Sequence, residues 1–375
     1  PGCQVLIAKD GNIFFNKSYG YHTYEKKTVV KNSDIYDLAS ITKIAATVPV
    51  LMHMVDDNKF NLDHHLGKYM DLDSTDKKDL VIRDVLAHQA RLTPWIPFYQ
   101  NTLVKDSISG NMNFRDTLYS KTFSQKYPHK VASGIFLHKQ YPDSIIKQIK
   151  ESQLLEDKEY YYSDLGYYMF KEIIEKKYEQ PLNKITDELF YTSLGMENLG
   201  YLPLDRINED RIVPTEMDFV FRSQLLKGYV HDQGAAMQGG VGGHAGLFSN
   251  ANDLAKLMQM YLQDGEYAGE KYLSKEVVTE FTKRQFAEND NRRGVGFDKP
   301  VLEGEEGGPT CDSVSSLSFG HSGFTGTLAW ADPENNLIYI FLSNRIHPDE
   351  NNKRLLEMDV RTEVMQVIYD SLDEK

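Results

Sequence analysis

Ser40-Ile41-Thr42-Lys43 places a hydroxyl and an ammonium three residues apart. On a helix that spacing puts both on one face, and a serine in the first turn also lies in the positive end of the helix dipole. Both fields favour an alkoxide, so the pair suits nucleophilic catalysis. Ser74-Thr75-Asp76-Lys77 and Ser144-Ile145-Ile146-Lys147 repeat the spacing, but only Ser40 opens a strongly apolar run, Ile44 to Met52. A buried helix would hold its first turn rigidly at the floor of a cleft. The alternative use of Ser40 is as a plain N-cap.

Two more groups are suited to the same chemistry. Tyr160-Tyr161-Tyr162-Ser163-Asp164 leads into a second helical stretch, with Asp164 or Ser163 as its cap. Beside Lys43, Tyr162 would be a phenol able to take or relay the serine's proton if the neighbouring charge lowers its pKa. His321-Ser322-Gly323-Phe324 precedes a strand. There Gly323 would let a substrate backbone approach the strand edge, and the Phe324 amide can serve as an oxyanion donor. Gly320-His321-Ser322-Gly323 is not a nucleophile elbow, because Phe324 breaks the G-x-S-x-G spacing and a strand follows.

Other signals point to structure. The glycine-rich loop 239–246 lacks the Lys-Ser/Thr ending of a phosphate-binding loop, so it reads as a tight loop near the site. His64, His65, His231, His244 and His347 show no ligand spacing, and no metal is expected. Trp95, Phe98, Tyr99 and Tyr127 either line a sugar or peptide subsite or belong to the core.

The elements that must position these groups are legible in outline. Residues 4–20 form two β-rich runs joined at Asp10-Gly11, a hairpin signal. Residues 325–344 form a second pair around Asp-Pro-Glu-Asn-Asn. Helical patterns cover 40–58, 164–177, 252–263 and 352–372, with a long irregular stretch at 91–142. This predicts an α/β (α+β) fold: one antiparallel sheet from both chain ends, covered by the C-terminal helix, with a mainly helical insertion. The whole of 1–375 is then a single domain, with a sheet subdomain (1–39 and 305–375) and a helical subdomain (40–304) sharing a cleft.

Composition narrows the function. Fifty-five acidic against 42 basic residues give a net charge of −13, which excludes the basic footprint that nucleic acid requires. No apolar run approaches the roughly 20 residues of a membrane span. Cys3 and Cys311 make no disulfide framework; they form one bridge if the chain ends meet, or stay free.

Taken in order, Ser40-x-x-Lys43, Tyr162-x-Asp164 and His321-Ser322-Gly323 resemble the S-x-x-K, Y-x-N and K/H-T/S-G motifs of the serine β-lactamase and penicillin-binding-protein superfamily. The likeness extends through Leu86-Ala87-His88-Gln89, the stretch 230–249 and Leu342-Ser343-Asn344-Arg345. It is greatest to the class C-like, esterase-type branch, and in particular to the serine-hydrolase module that follows a family 3 glycoside hydrolase in some Bacteroidetes proteins.

The resemblance implies a β-lactamase/transpeptidase-like fold, no cofactor, and Ser40 as the acylated nucleophile. Lys43 and Tyr162 would share its proton, and the amides of Ser40 and Phe324 would form the oxyanion hole. Asp164 and His321 would join the catalytic set, and Ser322, Gly323, Asn344 and Arg345 would contact substrate. It also implies a periplasmic or cell-surface setting, a small-molecule or muropeptide substrate and a fused upstream glycosidase. Asp164 stands where the family has Asn; if ionised, it would keep Lys43 protonated, which shifts the base role toward Tyr162. His321 stands for Lys, so Arg345 would supply the positive charge. The expected activity is cleavage of a D-alanyl-type amide. A carboxylesterase is the alternative, and an inactive peptidoglycan-binding module is the rival of another class, which intact Ser40, Lys43 and Tyr162 argue against.

Overall fold

Strands from the two ends of the chain meet in one antiparallel sheet. In the computed structural model, which describes residues 1–375 except 106, 108–111, 306, 374 and 375, β1 (Gly2–Lys9) and β2 (Asn12–Gly20) form the N-terminal hairpin. β3 (Phe319–Ser322), β4 (Leu328–Asp332) and β5 (Leu337–Ser343) form a C-terminal meander, and the order across the sheet is β3-β4-β5-β1-β2. Asp10 and Gly11 both take positive φ (52° and 77°), as a tight two-residue hairpin turn demands. At the β4–β5 turn, Asp332 Oδ1 accepts the Glu334 amide at 3.1 Å.

Helices α1 (Val48–Asp56), α2 (Leu165–Tyr178), α3 (Ala251–Leu262) and α4 (Val360–Asp373) frame the sheet and the site. Alternation along the strands sorts two cores. Val5, Ile7, Leu328, Trp330, Tyr339 and Phe341 face α4 through Met365, Ile368 and Tyr369. Leu6, Ala8, Ala329, Ala331, Ile338 and Ile340 face the main core. The small side chains on β4 let α3 pack directly against β4 and β5. β5 is buried along its whole length, as a central strand covered on both faces must be.

Two expectations need revision. The C-terminal helical pattern breaks at Asp359 (φ 45°), giving a short turn Arg354–Glu357 before α4. Segment 91–142 is not simply irregular: Leu103–Lys105 pairs with Met112–Phe114, and Ile135–Leu137 pairs with both Tyr119–Ser120 and His129–Ala132. Cys3 and Cys311 are free thiols.

The helix that follows Ser40 begins at Ile41 and runs as a π-helical stretch, Lys43–Thr47, into α1. Ile41, Ile44, Ala45, Ala46, Val48 and Val50 are fully buried, so the helix is enclosed on every side. A π stretch loosens the carbonyl ladder, and tyrosines fill the vacated positions: Tyr261 Oη donates to Ile44 O and Tyr191 Oη to Ala45 O, each at 2.7 Å. No helix among the described residues is long and apolar enough to cross a membrane.

Candidate active site

Ser40 lies half-buried at the start of this helix, and its position is set by strain just ahead of it. Ala39 is left-handed (φ 47°). Buried Asp37 holds it there, Oδ1 accepting the Ala39 amide at 2.9 Å and Oδ2 the His231 amide at 2.7 Å. Lys43, wholly buried, donates from Nζ to Ser40 Oγ at 2.9 Å and reaches the His244 carbonyl at 3.4 Å. The glycine-rich loop is thus the wall behind Lys43. Gly243 O also accepts from Thr47 Oγ1 at 2.7 Å.

The segment before α2 supplies the facing side. Ser163 is the cap, its Oγ accepting the Leu165 amide at 3.2 Å. That leaves Asp164 free to turn its carboxylate to Lys43, with Oδ1 2.6 Å from Nζ, as an ion pair rather than a well-angled hydrogen bond. Burial by itself would depress the Lys43 pKa, but its interactions with Asp164 and, after it, Tyr162 outweigh that and hold the ammonium above its usual value.

The Tyr162 ring lies 5.0 Å from Lys43 Nζ. Its hydroxyl is buried without a hydrogen-bond partner. The condition set for it as a proton acceptor is not met: burial outweighs the Lys43 and Arg293 charges, and the phenol pKa is raised rather than lowered. Tyr162 is a neutral phenol at ordinary pH.

His321 closes the third side. It is buried, and burial followed by the Arg293 and Lys43 charges pushes its pKa down to about 3. Nε2 lies 3.2 Å from Arg293 Nη1 and Nδ1 2.6 Å from Ser322 O. A guanidinium only donates, so Nε2 is the acceptor and the proton sits on Nδ1. The permanent cation against His321 is therefore Arg293, not Arg345. Nothing in the Asn291-Arg292-Arg293-Gly294 stretch marks it in the sequence. Arg293 also meets Tyr160 Oη at 3.2 Å and Asp298 at 3.3 Å.

Gly323 is a steric requirement. A Cβ there would lie 2.2 Å from Thr327 Oγ1 and 2.5 Å from Leu38 O. The turn after β3 is stapled to the segment that carries Ser40: Thr325 Oγ1 donates to Asp37 O at 2.7 Å and Thr327 Oγ1 to Leu38 O at 3.1 Å. Among the described residues neither the Ser40 nor the Phe324 amide has an acceptor, so both are free to donate to an oxyanion.

Other candidates fall elsewhere. Asn344 is a correction: its Nδ2 is consumed by the His22 and Pro214 carbonyls at 2.9 and 2.8 Å, making it a buried brace and not a substrate contact. Arg345 donates to Asn352 O at 3.3 Å and lies beneath Phe324, 4.9 Å from its ring. Ser322 is half-buried at the end of β3. Phe98 and Tyr99 belong to the core, whereas Trp95 is exposed, next to Pro94, whose carbonyl accepts the Asp164 amide at 3.1 Å. Although sequence spacing showed no ligand set, Glu216, His231 and Glu350 come together in space; His231 Nε2 is already paired with Glu216 at 2.8 Å.

A half-buried serine hydrogen-bonded to a buried lysine, with a tyrosine beside the lysine and two free amides nearby, is the arrangement of a serine hydrolase. The family model described as Beta-lactamase matches residues 1–361, and the chain belongs to that family. A Salmonella typhi protein named "Putative D-alanyl-D-alanine carboxypeptidase" is 30% identical over 384 residues, covering 95% of this chain and 81% of its own. Among solved structures, a penicillin-binding protein homologue from Caulobacter crescentus superposes with a TM-score of 0.65 at 17% identity, over 92% of this chain and 86% of that one. EstCE1, described as a hydrolase with promiscuous acyltransferase activity, gives 0.63 at 16%, over 96% and 93%. The fold is β-lactamase/transpeptidase-like, as its motif order led one to expect.

Proposed function

We propose that this serine hydrolase cleaves a D-alanyl-type peptide amide of peptidoglycan fragments through an acyl-enzyme at Ser40. The observation that carries the chemistry is the chain of contacts Ser40 Oγ, Lys43 Nζ, Asp164 Oδ1, at 2.9 and 2.6 Å. With Lys43 an ammonium and Tyr162 a neutral phenol, neither offers a free lone pair, and the acceptor left in contact with Lys43 Nζ is the Asp164 carboxylate. As Ser40 Oγ bonds to the carbonyl carbon, its proton passes to Lys43 Nζ while Lys43 gives one to Asp164, so the net transfer runs from serine to carboxylate.

The oxyanion that forms accepts from the Ser40 and Phe324 amides. When the C–N bond breaks, the leaving amine takes a proton from Tyr162, which recovers it from Asp164 by way of Lys43. Water then repeats the sequence on the acyl ester. Neutral His321 and Ser322 at the end of β3, with Gly323, line the side along which the substrate backbone would lie.

The name of the Salmonella relative supports the substrate class. A periplasmic or cell-surface location and an upstream glycosidase delivering muropeptides are parts of the same proposal. One observation favours a second reading, an uncharged ester: Arg293 is taken up by His321, Tyr160 and Asp298, leaving it unavailable to a substrate carboxylate. Comparing kcat/KM on D-Ala-D-Ala peptides and on short-chain esters, with Ser40→Ala as control, separates the two. Turnover of neither, with peptidoglycan fragments still bound, would refute both.

A further inference from the structure

Tyr162 has no hydrogen bond at its polar end, so its aim at Lys43 depends on what grips the ring and the backbone on either side. One residue does both. His88 follows the short helix Ile82–Leu86 in a left-handed conformation (φ 58°) and is buried. Its carbonyl accepts the Tyr161 amide at 2.9 Å and its Nδ1 accepts the Ser163 amide at 3.1 Å, so the two bonds bracket Tyr162. Between them the imidazole lies over the Tyr162 ring, with centroids 4.3 Å apart and planes 33° from parallel.

Accepting at Nδ1 requires a neutral ring with its proton on Nε2. A protonated ring would turn a donor toward the Ser163 amide. The same turn reaches the opposite wall of the site. Asn291 Nδ2 donates to Ala87 O and to Gln89 Oε1, each at 2.9 Å, and Asn291 Oδ1 accepts the Arg293 amide at 2.9 Å. Residues 87–89 are therefore the piece against which both the tyrosine segment and the Arg293–His321 pair are set.

We propose that His88 is a positioning residue for the hydrolysis: its neutral imidazole fixes the Tyr162 phenol against Lys43 and holds it in register with the Arg293–His321 wall. This rests on the serine-hydrolase mechanism proposed above. It predicts an effect on the bond-making step and little on substrate binding, because His88 lies behind the tyrosine.

The test compares wild type with His88→Ala, His88→Asn and His88→Phe, measuring kcat and KM on a short-chain nitrophenyl ester, the rate of Ser40 phosphonylation by a fluorophosphonate, and thermal unfolding. Asn presents an acceptor at the Nδ1 position and tolerates the left-handed backbone, whereas Phe keeps only the stack. Expected are a loss of about 10²-fold in kcat for His88→Ala with KM little changed, substantial recovery in His88→Asn, and none in His88→Phe. Wild-type kcat in folded His88→Ala, or losses in all three variants that simply follow their melting temperatures, would overturn the proposal. A wild-type Ser40 that resists phosphonylation would instead bring down the hydrolase mechanism, and the role of His88 with it.

Discussion

Asp164 Oδ1 sits 2.6 Å from Lys43 Nζ, closer than Lys43 Nζ is to Ser40 Oγ at 2.9 Å. A carboxylate at this point makes the resting site an ion pair, and in the mechanism we propose it takes the base role from the lysine. Asp164→Asn tests that assignment. Without the opposing charge, burial dominates Lys43 and its pKa falls, so the neutral amine becomes the base as pH rises. Wild-type rates should be nearly flat between pH 6 and 9, while the variant should be down by about 10²-fold or more at the acid end and recover toward pH 9. Parallel profiles would sink the assignment.

His321 makes stability depend on acid in a defined direction. Its pKa falls from an ordinary 6.5 to about 3 on folding. Between those values the unfolded chain binds a proton that the folded one does not. Stability is therefore present above pH 6.5 and is lost as pH falls toward 3, with a slope of about 1.4 kcal/mol per pH unit for this group. His88, also depressed by burial and then by Arg293 and Lys43, adds in the same sense. Urea unfolding of His321→Asn at pH 7, 5 and 4 should show a shallower acid loss than wild type, with the His88 part remaining.

Gly323 has no room for a methyl group. In Gly323→Ala the new atom meets Thr327 and the Leu38 carbonyl, which pushes β3 away from the nucleophile segment. We expect about 1–3 kcal/mol of destabilisation and about 10²-fold slower phosphonylation of Ser40. Loss of stability with an unchanged labelling rate would show that the two segments need not be in contact.

Asn344→Ala separates brace from binder. It strips donors from two buried carbonyls, His22 O and Pro214 O, at a cost of about 1–3 kcal/mol. KM should stay at the wild-type value in the folded variant, and a raised KM at full stability would restore Asn344 as a substrate contact.

What the sequence disclosed follows the range of each signal. Ser40 and Lys43 are three residues apart, and the sheet strands are long enough to alternate, so local patterning exposes both. Arg293 and His88 act through neighbours more than 25 residues away in sequence; Arg293 carries no motif of its own, and the Leu86-Ala87-His88-Gln89 stretch shows a likeness but not what His88 does. The direction of the Tyr162 shift is out of reach of the sequence for the same reason: adjacency to Lys43 is readable, but the depth of burial that overrides it is a property of the packed core. Between 91 and 142 the ladders run only two to four residues, too short for a period to emerge.

β1 is hydrogen-bonded on one side to β2 and on the other to β5, with Cys3 opposite Tyr19 and Ser343. A ribosome releases the first hairpin more than 300 residues before its second partner. Until then one edge of β1, and the apolar face bearing Val5 and Ile7, stay uncovered on the nascent chain. Such distant pairing slows folding and leaves a strand edge open to other chains. Until synthesis reaches β5, the open edge of β1 has no partner within its own chain.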